Sequence, residues 1–237
     1  MLNIITGRTG SGKTRYIRSL AAQSAQEEKG KTVIIVPEQF SFETEKGMLS
    51  LLGNEKINNV EILSFSRLAE RLLTDYGRLD KKIADDGTRA VLMSLAIETL
   101  EDKITVFNRY RKSPALISEL LNFYRELKKC CIPVSQLQEL SKKVKKATFS
   151  QKLEELSLIF DCYEALLNQK FSDDCMLFDM LYDLLGEVRP FAGKKVFVDA
   201  FSGFSAQEYK ILERIISTAD ETYVTFCCDT QKNNGRY

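Results

Sequence analysis

Histidine is absent from all 237 residues, and that removes a good deal of chemistry at once. Ser-His-Asp and Cys-His catalysis lack their general base. The usual zinc sets that include histidine are excluded. No C-x-x-C occurs. The six cysteines are Cys130, Cys131, Cys162, Cys175, Cys227 and Cys228, a pattern that reads as buried free thiols. Neither sign of charge dominates. The formal net charge is +1, so any nucleic-acid surface is local. No apolar run approaches the roughly 18 residues of a membrane span. A strand candidate begins already at Leu2, which leaves no room for a signal peptide, so no membrane partner and a cytoplasmic location are expected. Any chemistry must run on Lys, Asp, Glu, Arg, hydroxyls and metal.

What is present is ordinary in bulk and specific in one place. Hydrophobic residues at 44% and charged residues at 28% fit a globular protein with one core, or one core plus an inserted subdomain. The specific stretch is Gly7-Arg8-Thr9-Gly10-Ser11-Gly12-Lys13-Thr14, which fits G-x-x-x-x-G-K-[ST] without a gap. The apolar run Leu2 to Thr6 precedes it, and Ile17, Leu20, Ala21 and Ala25 follow at helical spacing. Glycines let backbone N–H groups turn toward phosphate oxygens, and the helix start adds a partial positive charge. Lys13 can reach β- and γ-phosphates, and the Thr14 hydroxyl can ligate Mg²⁺. All eight residues are candidate ATP contacts. The spacing is not G-x-G-x-x-G, which argues against a nicotinamide or flavin.

Along the chain, Thr32 to Val36 is a β-branched run stopped by Pro37. A helix is expected from about Phe42 to Leu52, broken by Gly53-Asn54. Val60 to Leu63 is a third strand, followed by a helix through Leu68, Ala69, Leu72 and Leu73. This β-α-β-α-β-α order predicts a parallel sheet. From Asp85 the texture is helical, with no convincing strand. Ser113-Pro114 starts one helix, and Ser135-x-x-Gln138 reads as a capping box for another. Strands return at Lys195 to Asp199 and Thr222 to Cys227. The expected organisation is therefore a first part of an α/β domain over 1–84, an inserted all-helical subdomain over 85–189, and the second part over 190–237.

Asp199 ends the apolar run Val196-Phe197-Val198, where a phosphate-loop protein presents an acid to hold Mg²⁺ through water. Ala200 stands next, where motor ATPases commonly carry a Glu, and an alanine accepts no proton. Several stretches together resemble the first motor domain of superfamily 1 DNA helicases. Ile62-Leu63-Ser64-Phe65-Ser66-Arg67-Leu68-Ala69-Glu70-Arg71-Leu72-Leu73 is similar to their strand-to-helix motif beside single-stranded DNA. Phe197 to Ser205 is similar to their Asp-Glu box with the Glu lost. With Val36-Pro37-Glu38-Gln39-Phe40-Ser41-Phe42-Glu43-Thr44-Glu45 added, the chain resembles the amino-terminal part of the B subunit of the AddAB-type ATP-dependent helicase/deoxyribonuclease.

That resemblance implies a P-loop NTPase (RecA-like) parallel sheet and a role on DNA ends in double-strand break repair and recombination. It implies an A-subunit partner in a heterodimer, DNA as substrate, and ATP with Mg²⁺ as cofactors. Thr14 and Asp199 carry over as metal ligands, and Gln39, Ser64, Phe65 and Ser66 as DNA contacts. The family also carries a second motor-like domain and a nuclease with an iron–sulfur cluster. Neither fits in this length, so a fragment of a larger protein is expected, with ATP binding outlasting hydrolysis and no catalytic residue assigned. Three other readings stand beside it. A complete ATP-driven motor has Ala200 and the missing second domain against it. A small phosphotransferase of the nucleoside-kinase type would use Arg109 and Arg111 as lid arginines. A structural scaffold would carry a vestigial loop. The basic run Lys142, Lys143, Lys145 and Lys146 reads either as a solvated face or as a salt-sensitive duplex contact.

Overall fold

The computed structural model describes residues 1–27, 31–79 and 81–228. The expected helix stop at Lys29-Gly30 and the unpatterned tail Asn233 to Tyr237 lie outside the described residues. In chain order, β1 (Leu2–Gly7) leads to α1 (Lys13–Glu27), β2 (Thr32–Ile35) to α2 (Ser41–Lys56), and β3 (Val60–Leu63) to α3 (Phe65–Asp75). There follow β4 (Lys82–Ile83), α4 (Asp86–Thr99), α5 (Pro114–Lys129), α6 (Ser135–Lys143), α7 (Ala147–Lys170), β5 (Phe171–Ser172) and α8 (Asp174–Glu187). The last elements are β6 (Lys195–Val198), α9 (Ala206–Thr218) and β7 (Glu221–Cys227).

Among the described residues, five strands form one sheet in the order β1-β7-β6-β2-β3, and every neighbouring pair is parallel. The protein is thus a mixed α/β chain with a parallel central sheet and many helices. All four residues of β2 are buried, which is why Thr32-Val33-Ile34-Ile35 reads as continuous rather than alternating: both faces of a central parallel strand are covered. On one face, Ile17 and Ala21 of α1 and Met48 and Leu52 of α2 pack with Ile34, Val36 and Phe197. Ile5 and Tyr223 join the same cluster, and the Phe197 and Tyr223 rings stack at 4.9 Å. Leu2, Ile4, Val224 and Phe226 alternate to the other face, beside α9.

The chain divides into two compact units. One comprises Met1–Tyr76, Met180–Phe204 and Glu208–Tyr237, and contains the five-stranded sheet. The other comprises Gly77–Asp179 with Ser205–Gln207. Its helices α4, α5, α6 and α7 enclose a core that includes Met93, Ile97, Tyr124, Phe160, Tyr163 and Leu167. The buried Glu155 carboxylate accepts N–H bonds from Thr105 (2.9 Å), Val106 (2.9 Å) and Phe107 (3.1 Å), closing the α4–α5 connection onto α7.

Three local expectations change. The stretch after Asp85 reads as free of strand, yet β5 falls within it and pairs in parallel with β4, Lys82 opposite Phe171 and Ile83 opposite Ser172. Two-residue strands are too short to leave a period-two pattern. The N-cap position of α6 is Val134 and no side chain caps it, so Ser135 is already helical and the capping box does not form. Gly53 breaks the helical path of α2 as expected, at φ 70°, and helical structure resumes after it as far as Lys56. Cys130, Cys227 and Cys228 are free thiols but exposed: Cys227 is the last residue of β7, and Cys130 and Cys228 directly follow α5 and β7. No helix among the described residues is long and apolar enough to cross a membrane.

Candidate nucleotide-binding site

The loop between β1 and α1 is shaped by two glycines in the left-handed region. Gly10 has φ 80° and Gly12 φ 88°. A Cβ at either would meet open space, so the dihedral and not crowding calls for glycine. Gly7 is the opposite case, since a Cβ there would lie 2.6 Å from Ser11 Oγ. A turn closes where Ser11 N–H donates to the Arg8 carbonyl at 3.1 Å. The first intrahelical bond of α1 runs from Tyr16 N–H to the Gly12 carbonyl at 2.9 Å. The N–H groups of Lys13, Thr14 and Arg15 therefore precede the helical ladder and open at its positive end.

Lys13 folds back over this loop. Its ammonium donates to the carbonyls of Gly7 (2.7 Å) and Arg8 (2.8 Å). Both acceptors are uncharged backbone groups, so the positive charge is held in the loop without being neutralised. Arg8, Thr9, Gly10, Ser11 and Gly12 are exposed and Thr14 is half-buried. Thr9 Oγ1 lies 3.2 Å from Cys227 Sγ at the end of β7, a neighbour that the chain order conceals.

Asp199 directly follows β6, and its N–H donates to the Ile35 carbonyl at 3.0 Å. It is 4% exposed, and its Oδ1 accepts from Thr225 Oγ1 at 2.5 Å. Val198 pairs with Val224, and Thr225 pairs with Ile5, so Asp199 sits level with Ile5, two residues before the last residue of β1. Thr225 points to the same sheet face as Tyr223, which packs with α1. Loop and carboxylate thus share one end and one face of the sheet, separated by β7. Two strand spacings amount to about 10 Å. A hard divalent cation takes oxygen donors of this kind, and Mg²⁺ keeps several waters with only one or two protein ligands. The described residues hold no group of three or more potential metal-ligating side chains, so the set fits Mg²⁺ shared with a phosphate better than a protein-only cage.

Ala200 adopts φ 66°, a left-handed conformation unusual for a residue with a Cβ. It borders a hollow of about 550 Å³ at the C-terminal ends of β2, β3 and β6, lined by Gln39, Ser64, Ser66, Phe201 and Ser202 among others. Gln39 and Ser66 are exposed there. Ser64 is buried, and its Oγ accepts from Arg67 N–H at 3.2 Å as the cap of α3. Phe65 is only 3% exposed, with its ring 5.5 Å from Phe201 and 6.3 Å from Phe204. Gln39, Ser66, Phe201 and Ser202 therefore belong to the accessible part of the hollow, with Glu38 and Gly203. Sequence reasoning did not single out Phe201 and Ser202, although they directly follow Asp199-Ala200. In the helical unit, Arg111 is paired with the Glu101 carboxylate and Arg109 lies 5.8 Å over the Tyr110 ring.

The family model described as "ADDB, N-terminal" matches residues 4–236. The chain belongs to that family. Relatives named as the B subunit of an ATP-dependent helicase/deoxyribonuclease resemble it throughout. The one from Thermoanaerobacter sp. (strain X514) is 28% identical over 234 residues, covering 98% of this chain and 20% of the relative. The one from Clostridium novyi (strain NT) is 29% identical over 226 residues, covering 95% and 20%. The one from Clostridium botulinum (strain Loch Maree / Type A3) is 28% identical over 237 residues, covering 100% and 21%. The chain thus spans about a fifth of the length of these relatives.

Proposed function

We propose that this chain is the nucleotide-binding, helicase-like part of a helicase–nuclease, a P-loop domain of RecA-like type that binds ATP with Mg²⁺. The whole protein acts on DNA ends in double-strand break repair and recombination, beside a partner A subunit. The observation that carries the reading is the loop with two left-handed glycines and three open helix amides, facing the same end and side of the sheet as the Asp199 carboxylate. Lys13 and the amides of Gly10 to Lys13 hold the phosphates. Thr14 and Asp199 hold the metal, whose role is to offset phosphate charge. Gln39 and Ser66 contact DNA phosphates at the rim of the neighbouring hollow. The mostly helical stretch Gly77–Asp179 is an insert in this domain.

Turnover by this chain alone is weak or absent. Ala200 supplies no proton acceptor, and a positioned base typically contributes about 10²–10⁴-fold. The arginine that completes a helicase ATP site comes from a second motor domain in the resembled family. The phosphotransferase reading is disfavoured, because Arg111 is already paired with Glu101 in its own unit.

Calorimetry with ATP and Mg²⁺, paired with phosphate release on the same protein, tests this. Binding is expected, with Lys13→Ala weakening it by the roughly 1.5–3 kcal/mol of a charge-assisted hydrogen bond. No binding at millimolar ATP refutes the reading in favour of a vestigial loop. Release at several turnovers per second, abolished by Lys13→Ala, refutes the separation of binding from hydrolysis.

A further inference from the structure

The corner between α6 and α7 concentrates charge that the rest of the chain does not share. Residues 140–153 carry Lys142, Lys143, Lys145, Lys146 and Lys152 and no acid, in a chain of net charge +1. The remainder of the chain is therefore net negative. All five lysines are exposed, and among the described residues none of their side chains makes an ion pair or a hydrogen bond. Three lysines elsewhere are matched: Lys128 pairs with Glu164 at 2.7 Å, Lys129 with Glu126 at 3.1 Å and Lys195 with Glu221 at 3.5 Å.

The fold fixes this corner in place. Val144, between the two lysine pairs, packs against the core of the helical unit. Its N–H donates to the Ser141 carbonyl at 3.4 Å, and the Ser150 hydroxyl of α7 donates to the same carbonyl at 2.8 Å. Ser141 itself is buried. The end of α6 is thus tied to the first turn of α7, and the lysines stand on helix ends and not on a long loop.

Stability does not account for the arrangement. Lys142 and Lys143 lie in the last turn of α6, where cations complement the negative helix end. Lys146, however, is the N-cap residue of the 24-residue helix α7, and Lys145 precedes it, at the positive end. No acid stands in the first turn of α7 and no side chain caps it. Cations at that end, and four like charges within five residues, repel. An external row of negative charge relieves both costs. Every one of the five is Lys, a hydrated point charge suited to phosphates, and none is the planar Arg fork that recognises carboxylates in pairs of bonds. A single-strand site adds successive aromatic rings on which bases stack, whereas this corner exposes one, Phe149.

We infer that the α6–α7 corner binds the phosphate backbone of duplex DNA, without reading its sequence. The choice of DNA among polyanions rests on the proposed function, and the surface is separate in sequence from Gln39 and Ser66. Duplex DNA presents one charge per about 1.7 Å of axis, so neighbouring lysines find neighbouring phosphates, and each contact releases a condensed counterion.

Fluorescence anisotropy with a short blunt duplex, over a salt series and without ATP, tests this. Lys142→Ala, Lys143→Ala, Lys145→Ala and Lys146→Ala combined in one chain are expected to weaken duplex binding at least roughly tenfold at low salt, and to lower the slope of log affinity against log salt by about 3–4. The melting temperature should hold or rise, since exposed like charges are removed. The same four positions changed to Arg should keep both affinity and slope. Unchanged affinity and slope in the alanine variant overturn the inference, and so does a loss that arginine does not restore. A larger loss for single-stranded than for duplex DNA overturns it by assigning the corner to a single strand. Displacement of the duplex by poly-glutamate as effectively as by unlabelled duplex at equal charge overturns it in favour of an acidic polypeptide. Failure of the unmodified chain to bind the duplex also overturns it, and leaves ATP binding at Lys13, read by calorimetry, standing.

Discussion

Thr225 Oγ1 donates to Asp199 Oδ1 at 2.5 Å between neighbouring strands, and both residues are buried. The hydroxyl fixes the carboxylate on the face that also carries α1. Thr225→Val keeps the shape and deletes the donor, leaving a buried carboxylate short of a partner. We expect a loss of about 1–3 kcal/mol in urea unfolding and a weaker Mg²⁺-dependent component of ATP binding. Thr225→Ser should restore both. If Thr225→Val leaves stability unchanged, the bond does not hold Asp199.

Ala200 sits at φ 66°, where an L-residue is strained by about 1–2 kcal/mol and glycine is not. Ala200→Gly removes that strain and adds unfolded-state freedom of about 0.5–1 kcal/mol. A net stabilisation of about 0.5–1 kcal/mol should appear as a rise of a few degrees or less in melting temperature. A fall in melting temperature contradicts the strain.

Burial raises the Glu155 carboxyl pKa, but the N–H groups of Thr105, Val106 and Phe107 and the Thr105 side chain outweigh it and hold it below the ordinary glutamate value. A group whose folded pKa is depressed contributes stability above its unfolded pKa, about 4.3 here, and loses it as pH falls through the lower folded value. Glu155→Gln should therefore cost about 1–3 kcal/mol at neutral pH and flatten the acid limb below about pH 4. An unchanged acid limb in the variant would assign the acid sensitivity to other groups.

At the larger hollow, exposure separates candidates that the sequence groups together. Gln39→Ala and Ser66→Ala should weaken single-stranded DNA binding while leaving the melting temperature within about 1 °C, because exposed polar substitutions are usually within ±0.5 kcal/mol. Phe65→Ala should lower stability by about 3–5 kcal/mol, as a buried ring does. Fluorescence anisotropy with thermal melts on the same variants reads both. A Phe65→Ala protein of normal stability and reduced DNA affinity would reverse the assignment.

The glycine loop was legible because its residues are contiguous and its chemistry dictates their types. Its flanking strand and helix were legible from period alone. Strand order was not, since nothing local says that β7 lies between β1 and β6. For the same reason the Thr225–Asp199 and Thr9–Cys227 contacts could not be read in advance: each depends on register between strands far apart in the chain. Phe65 was ambiguous for another reason. An aromatic at a strand-to-helix junction looks alike whether it faces a base or Phe201 and Phe204.

The carbonyl oxygen of Gly7 accepts two donors at once, Lys13 Nζ at 2.7 Å and Cys228 N–H at 3.2 Å. One donor belongs to the loop lysine and the other to the chain as it leaves the fifth strand of the sheet. Whenever the ammonium swings toward an anion, this oxygen loses its stronger donor, and the longer, weaker bond from Cys228 gains the full acceptor. A single backbone atom thus joins the loop lysine to the point where the polypeptide departs from the sheet.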